Sequence, residues 1–328
     1  MKLQFLIKIS FLIFISTGFS NVISTGTQAN IISLPLTAQE LASAGAITSE
    51  LNSFSLFKNP VKLQTNQRQI GYNFNSFYTG EFHSSIILLP QIPENFWIKQ
   101  IGFIYLSIPN IPDTGLLFSE NDEVPNYNSI SNFSFNQYGI LLNYNKKYND
   151  RISYGINFIP HFYNLYSDKA VGIIFNIATF LKFNPNLNYT FLINSFPGSF
   201  TVWNEKQIEL LPLELKNCLT YEIRKISIFS NINYTSENVS IFNSKFWNYN
   251  GLDYSLGINF KLNSNIKFTI SNGSKLNFGG GFLFSYNGID IQYGVAIQNI
   301  DSFRFLHHGI DFVFDLNKIE EWQNILQP

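Results

Sequence analysis

The chain of 328 residues has one cysteine, Cys218, so no internal disulfide can form and the fold must hold without one. Charge is scarce as well. Asp, Glu, Lys and Arg together make 13% of the sequence, about half of the roughly 25% found in soluble domains, which leaves little to cover a water-facing surface. The formal net charge is −1 and no strongly basic run occurs, which removes nucleic acid as a partner. Beyond residue 20 no apolar run reaches the ~18 residues of a membrane helix. "AVGIIFNIATFL" at 170–181 comes nearest, and it is short and broken by Asn176. Motifs of catalysis are missing too: there is no Gly-x-Ser-x-Gly elbow and no HExxH. "FGGGF" at 278–282 lacks the Lys-Ser/Thr of a phosphate loop and lies in an alternating stretch, where glycines make a bend or leave room.

The same scarcity extends to metal chemistry. His307 and His308 point to opposite sides of a strand, and no carboxylate or cysteine stands at ligand spacing beside any of the four histidines. Glu120, Asp122 and Glu123 offer carboxylates for a cation or a partner, but carboxylates on exposed loops are ordinary and a solvated loop tip is the expectation. The expectation is a protein with no catalytic residues, no metal and no cofactor.

What is present is aromatic residue, 17% of the chain, with 34 Phe and 17 Tyr. "MKLQFLIKISFLIFISTGFS" opens with Lys2 and Lys8, continues through the apolar run Ile9 to Ile15, and ends with Gly18 and Ser20 at −3 and −1 of a cleavage site. That is a signal peptide over residues 1–20. No cysteine follows the site, so a lipid anchor is not expected. Export without a membrane helix leaves a soluble exported protein or an outer-membrane β-barrel.

From residue 21 to about 66 the chain is rich in small residues and does not alternate, with a weak helical spacing in "LTAQELASAGAITSEL" at 36–51 and a stop at "KNP" at 58–60. Period-two alternation then runs from 67 to 316. In "LDYSLGINFKL" at 252–262, Leu252, Tyr254, Leu256, Ile258, Phe260 and Leu262 oppose Asp253, Ser255, Gly257, Asn259 and Lys261. In "IDIQYGVAIQ" at 289–298, Ile289, Ile291, Tyr293, Val295 and Ile297 oppose Asp290, Gln292, Gly294, Ala296 and Gln298. Short turns occur at "NKKYND", "NPN", "NSN" and Asn287-Gly288, with longer connections near 109–131, 197–208 and 236–250.

Alternation alone also fits a soluble β-sandwich. Three features favour the membrane. Runs of about 9–12 residues match the ~9–11 needed to cross a bilayer with tilt, against the ~5–6 of soluble strands. The polar faces are Asn, Ser, Gly and Gln with few charges, which suits a lumen. Tyr and Phe recur near strand ends, as in "NSFY" at 75–78 and "KFWNY" at 245–249, where interfacial girdles form.

The segment "LPLTAQELASAGAITSELNSFSLFKNPVKL" at 34–63 resembles the opening of the PorV/PorQ family, a branch of the FadL-like outer-membrane barrels. Leu34, Pro35, Ala38, Leu41, Gly45, Ala46, Asn59 and Pro60 fall in the family's places. "LLPLELKNCLTYEIRKISIFSNINY" at 210–234 is similar to its Leu-Pro lead into a strand pair, and "FRFLHHGIDFVF" at 303–314 to its His-bearing last strand. Departures are Ala42 and Ser43 in place of glycines, Val61 in place of alanine after Asn-Pro, and the tail 317–328. The resemblance implies an all-β fold, a transmembrane antiparallel β-barrel of about 14 strands with the N-terminal segment as a hatch in the lumen. It further implies service in type IX secretion or surface attachment, with other secretion-system proteins or exported cargo as partners beside outer-membrane lipid. FadL-like relatives instead pass hydrophobic small molecules, and an exported β-sandwich adhesin is the soluble alternative. On the barrel reading Asp253, Asn259, Asp290 and Gln292 face the lumen.

Overall fold

Every long alternating stretch is a β-strand in the computed structural model, which describes residues 37–47, 53–61, 69–76, 82–89, 96–113, 131–204, 208–235, 251–300 and 303–318. The strands are β1 (Gln69–Ser76), β2 (Phe82–Leu89), β3 (Gln100–Asp113), β4 (Ser131–Asn149), β5 (Ile152–Leu165), β6 (Asp168–Asn184), β7 (Leu187–Asn194) and β8 (Phe200–Trp203). They continue as β9 (Ile208–Leu210), β10 (Glu214–Ile223), β11 (Ile226–Thr235), β12 (Leu252–Lys261), β13 (Ile266–Gly273), β14 (Phe278–Tyr286), β15 (Ile289–Ile300) and β16 (Phe303–Asp315). A one-turn helix α1 (Ala38–Ala42) and a 3₁₀ turn (Ser53–Phe57) precede them.

All strand pairings are antiparallel. β1 pairs with β2 and β16, and the order runs from β5 through β1, β16 and β10 to β7 and β6. Pairing of β5 with β6, from Ile152 opposite Leu181 to Leu165 opposite Asp168, then joins the two ends of that order. β7 and β8 follow one another along the same edge of β6, and β9 and β10 likewise along β8 and β7, so each pair makes one interrupted wall strand. The ring therefore has 14 members. Closure leaves no open edge, which is what lets strands cross a bilayer.

Asparagine builds the tight turns. Asn149 Oδ1 accepts from the amides of Arg151 and Ile152, Asn184 Oδ1 from Asn186 and Leu187, and Asn263 Oδ1 from Asn265 and Ile266, each at 2.8–2.9 Å. Asn287 and Gly288 have φ of 49° and 85°, the two positive values a two-residue hairpin turn requires. These turns share one end of the barrel with the start of β1 and the end of β16. Two expected long connections are shorter than the sequence suggested. Residues up to Asp113 belong to β3, and Phe200–Trp203 with Ile208–Leu210 form a short hairpin pair inside the expected loop at 197–208.

Burial decides between sandwich and membrane barrel. On β12, Leu252, Tyr254, Leu256 and Ile258 are each at least 50% exposed, while Asp253, Ser255 and Asn259 are buried at 9%, 1% and 1%. A soluble sandwich buries its apolar face. Here the oily face looks out and the polar face is enclosed, the arrangement of a barrel solvated by lipid.

Candidate functional site

The enclosed space holds two parts of the N-terminal segment, residues 37–47 and 53–61, against two sides of the wall. The first part, residues 37–47, begins where Thr37 Oγ1 accepts from the Glu40 amide at 2.8 Å and caps α1. Only glycine lets this turn approach the strands so closely. A Cβ on Gly281 would lie 2.6 Å from that of Ala42, one on Gly279 2.6 Å from the Leu41 carbonyl oxygen, and one on Gly294 2.7 Å from the Ala38 carbonyl carbon. A Cβ on Gly309 would meet Leu41 Cδ1 at 2.8 Å. Asp311, on the inner face of β16, accepts from the Ala38 amide through both carboxylate oxygens at 3.0 and 3.1 Å and from Asn73 Nδ2. Ser271 Oγ donates to the Ala42 carbonyl at 2.8 Å.

The second part, residues 53–61, is bound by inward asparagines of β4, β5 and β6. Asn143 Nδ2 donates to the Pro60 carbonyl at 2.9 Å, Asn157 Nδ2 to the Leu56 carbonyl at 2.5 Å, and Asn176 Nδ2 to the Phe57 carbonyl at 3.1 Å. Irregular backbone at membrane depth needs partners of this kind, since lipid supplies none. The two parts are clasped to each other by an ion pair. Lys58 Nζ lies 3.2 Å from Glu40 Oε1, with both side chains under 10% exposed. Burial pushes the Lys58 ammonium below its ordinary pKa, Glu40 opposing and Lys216 adding to the fall. Glu214 and Lys216, 3.1 Å apart on the inner face of β10, complete a buried set of two positive and two negative groups.

One sector of the lumen is apolar. Ile104 and Leu106 of β3, Leu141 of β4, Ile159 of β5 and Ile174 of β6 pack with Phe54, Leu56 and Phe57 of the 3₁₀ turn. Further along the same strands, toward the end with the longer connections, Phe135, Tyr163 and Ala170 form a second nest, with Ile108, Ile111, Leu165 and Trp203 against it. Between the two nests stand Gln137 and His161, the latter 2.9 Å from Thr201 Oγ1.

Of the residues singled out from sequence, Ala38, Leu41, Ala46, Asn59 and Pro60 are buried in these contacts, and Gly45 follows α1 with φ of 81°. Leu34 and Pro35 lie outside the described residues, as do the signal peptide, the acidic residues 120–123 and residues 319–328. Asp253, Asn259 and Gln292 are buried on the inward series, and Asp290 is half-buried near the tight-turn end. They lie on two strands, β12 and β15, which are not neighbours in the ring. Sequence reading missed the hatch-binding asparagines, Asp311 and Gly309; Asn143 and Asn157 stand on the polar side of alternating stretches, whereas Asn176 read only as a break in an apolar run. Among the described residues no group of histidine, cysteine and carboxylate side chains is placed to hold a metal.

A closed, lipid-faced ring of 14 strands around an N-terminal plug defines a transmembrane β-barrel. Among solved structures the chain is similar to the monoaromatic hydrocarbon channel CymD, with a TM-score of 0.57 and 10% identity over 85% of this chain and 97% of that one. The toluene transporter TodX of Pseudomonas putida gives 0.53 at 10% identity over 79% and 91%. A FadL homologue of Pseudomonas aeruginosa gives 0.50 at 10% identity over 86% and 99%. At this identity the likeness concerns the fold. No family model and no curated protein matches the sequence.

Proposed function

We propose that this protein is an outer-membrane channel for hydrophobic small molecules, exported through the signal peptide at residues 1–20 and gated by the hatch over residues 21–66. One observation supports the reading above the others: the inner wall of β3–β6 carries an apolar patch, Ile104, Leu106, Leu141, Ile159 and Ile174, packed on Phe54, Leu56 and Phe57 of the hatch, and a second toward the longer-loop end. A wall of Ile, Leu and Phe favours an apolar solute at roughly 25 cal/mol per Å² removed from water, and gives a hydrated one nothing. Of the solved structures of like fold, one is a monoaromatic hydrocarbon channel and another a toluene transporter. In the described conformation residues 37–47 and 53–61 lie in the lumen against that wall, and passage requires them to shift along it. The secretion or cargo-attachment role implied by the PorV/PorQ resemblance rests on the short motifs at 34–63, 210–234 and 303–314 alone. Neither the lumen nor the structural likenesses add support to it.

Uptake tests the proposal. Cells without other hydrophobic-compound channels should take up labelled toluene faster with this protein than without it. Ile104→Asn with Leu141→Asn should remove the gain while the barrel still shows heat-modifiable migration on a gel. Equal uptake with and without the intact protein would overturn the reading.

A further inference from the structure

The turns at the tight-turn end of the barrel are tied side by side into one rim. The Lys182 amide donates to the Arg151 carbonyl, the Glu222 amide to that of Asn186 and the Lys261 amide to that of Lys225, each at 2.8 Å. This rim is basic. Lys146 on the outer face of β4, Arg151 in the turn that follows, and Arg224 and Lys225 between β10 and β11 are all exposed, as are Lys182 and Lys261 at the mouth. Among the described residues of these turns one carboxylate, Asp150, is exposed, and Lys147 holds it at 2.7 Å. The whole chain carries a net charge of −1, so the excess here comes from placement. Turn chemistry does not ask for it. Asn149, Asn184 and Asn263 cap their own turns, whereas Arg224 holds φ of 51° at the first position of its turn, where glycine is the usual choice.

Height on the barrel decides what meets these cations. Exposed apolar side chains adjoin them in sequence: Tyr148 after Lys147, Phe183 after Lys182, Ile223 and Ile226 on either side of Arg224 and Lys225, and Leu262 after Lys261. On a lipid-solvated wall such residues sit at the boundary of the apolar band. Turns this short cannot lift the neighbouring cations far beyond it, so they stand at the level of headgroup phosphates, within the ~8 Å over which charge acts in physiological salt. A soluble acidic protein would have to reach down to the lipid surface to touch them.

We propose that this rim binds anionic phospholipids of the leaflet at the tight-turn end in preference to zwitterionic ones. Guanidinium and ammonium groups donate to the phosphate oxygens, and the net negative charge of the lipid answers a rim that the protein leaves positive. The site is outside the lumen and independent of the hydrophobic path.

Native mass spectrometry of the purified protein, titrated with phosphatidylglycerol or with phosphatidylcholine of the same acyl chains, tests this. A single Lys or Arg beside an anionic surface contributes about fivefold in affinity. Phosphatidylglycerol should therefore be retained about tenfold better than phosphatidylcholine or more, the advantage shrinking as ionic strength rises. Lys146→Gln/Arg151→Gln/Arg224→Gln/Lys225→Gln should lose most of the preference. Lys169→Gln/Lys275→Gln/Arg304→Gln, which removes exposed cations of the opposite end, should keep it, with heat-modifiable migration showing both variants folded. Equal retention of the two lipids by the wild type would overturn the proposal, and so would the same loss in both variants, which would mark overall charge alone. Tighter retention of soluble polyglutamate than of phosphatidylglycerol would overturn it in favour of an acidic protein partner.

Discussion

Replacing Gly294 by alanine probes the hatch at its tightest contact. The new Cβ would stand 2.7 Å from the Ala38 carbonyl carbon and 3.0 Å from its Cα, against the 3.4–4 Å of ordinary contact. Both atoms are backbone, so no side-chain rotation relieves the overlap and α1 must retreat by about 1 Å, an overpacking that costs about 1–3 kcal/mol. The retreat also lengthens the bonds of 3.0 and 3.1 Å from the Ala38 amide to Asp311, and a hydrogen bond to a charged group contributes about 1.5–3 kcal/mol. Taking the lower ends of these ranges, about 1 and about 1.5 kcal/mol, the hatch loses about 2–3 kcal/mol, which raises the population of its displaced state by roughly 30- to 150-fold. The assay is thiol labelling of Ala46→Cys, a buried hatch position, in a Cys218→Ser background with a membrane-impermeant reagent. Labelling should accelerate by at least tenfold in Gly294→Ala while heat-modifiable migration is kept. An unchanged rate in a folded barrel would show that α1 does not rest on β15 as described.

Other expectations rest on separate contacts. Glu40→Gln leaves Lys58 buried without its clasp, a loss of about 3–5 kcal/mol when one partner of a buried pair is removed; Ala46→Cys labelling should rise, and adding Lys58→Met should restore most of the protection. Ile270, 63% exposed on β13, should tolerate no charge: Ile270→Arg costs about 2–4 kcal/mol near the midplane and should reduce membrane assembly, whereas Asp290→Lys, half-buried on the inward series, should assemble normally. Lys147, with Nζ 2.7 Å from Asp150 Oδ1, holds that carboxyl below its usual range. Such a group favours the folded state above its unfolded pKa and loses this as pH falls through the folded value. The pair is exposed and screened, so Asp150→Asn should leave thermal unfolding unchanged between about pH 3 and 7.

The strands were legible because a half-buried strand must alternate, and Leu252 to Leu262 does so without a break. Alternation did not say which way the oily side faces, since Tyr254 and Leu256 satisfy a sandwich as well as a membrane; run length, uncharged polar faces and aromatic strand ends favoured lipid, and the enclosed Ser255 and Asn259 agree. The Asn287-Gly288 turn could be read directly, because its conformation belongs to the residues themselves. The interrupted wall strands could not. Phe200–Trp203 is held by cross-strand pairing to Ala170–Ile173, which local sequence does not reveal. For the same reason "FGGGF" disclosed that something needed space, while its occupants, Leu41 and Ala42, appear only when the ring has closed. Asp311 illustrates the limit most sharply: on sequence it is one more lumen-facing polar residue, and its role comes from the distant amide of Ala38.

Locking the hatch tests the proposed channel most directly. A Cβ at Gly281 would lie 2.6 Å from Ala42 Cβ, so a shift of about 1 Å brings Ala42→Cys and Gly281→Cys to the ~3.8 Å Cβ separation of a disulfide. In the Cys218→Ser background, toluene uptake by vesicles carrying the oxidised protein should fall to that of vesicles without protein and return on reduction. Equal uptake by the oxidised and reduced forms, with the cross-link verified by mass spectrometry, would contradict the account.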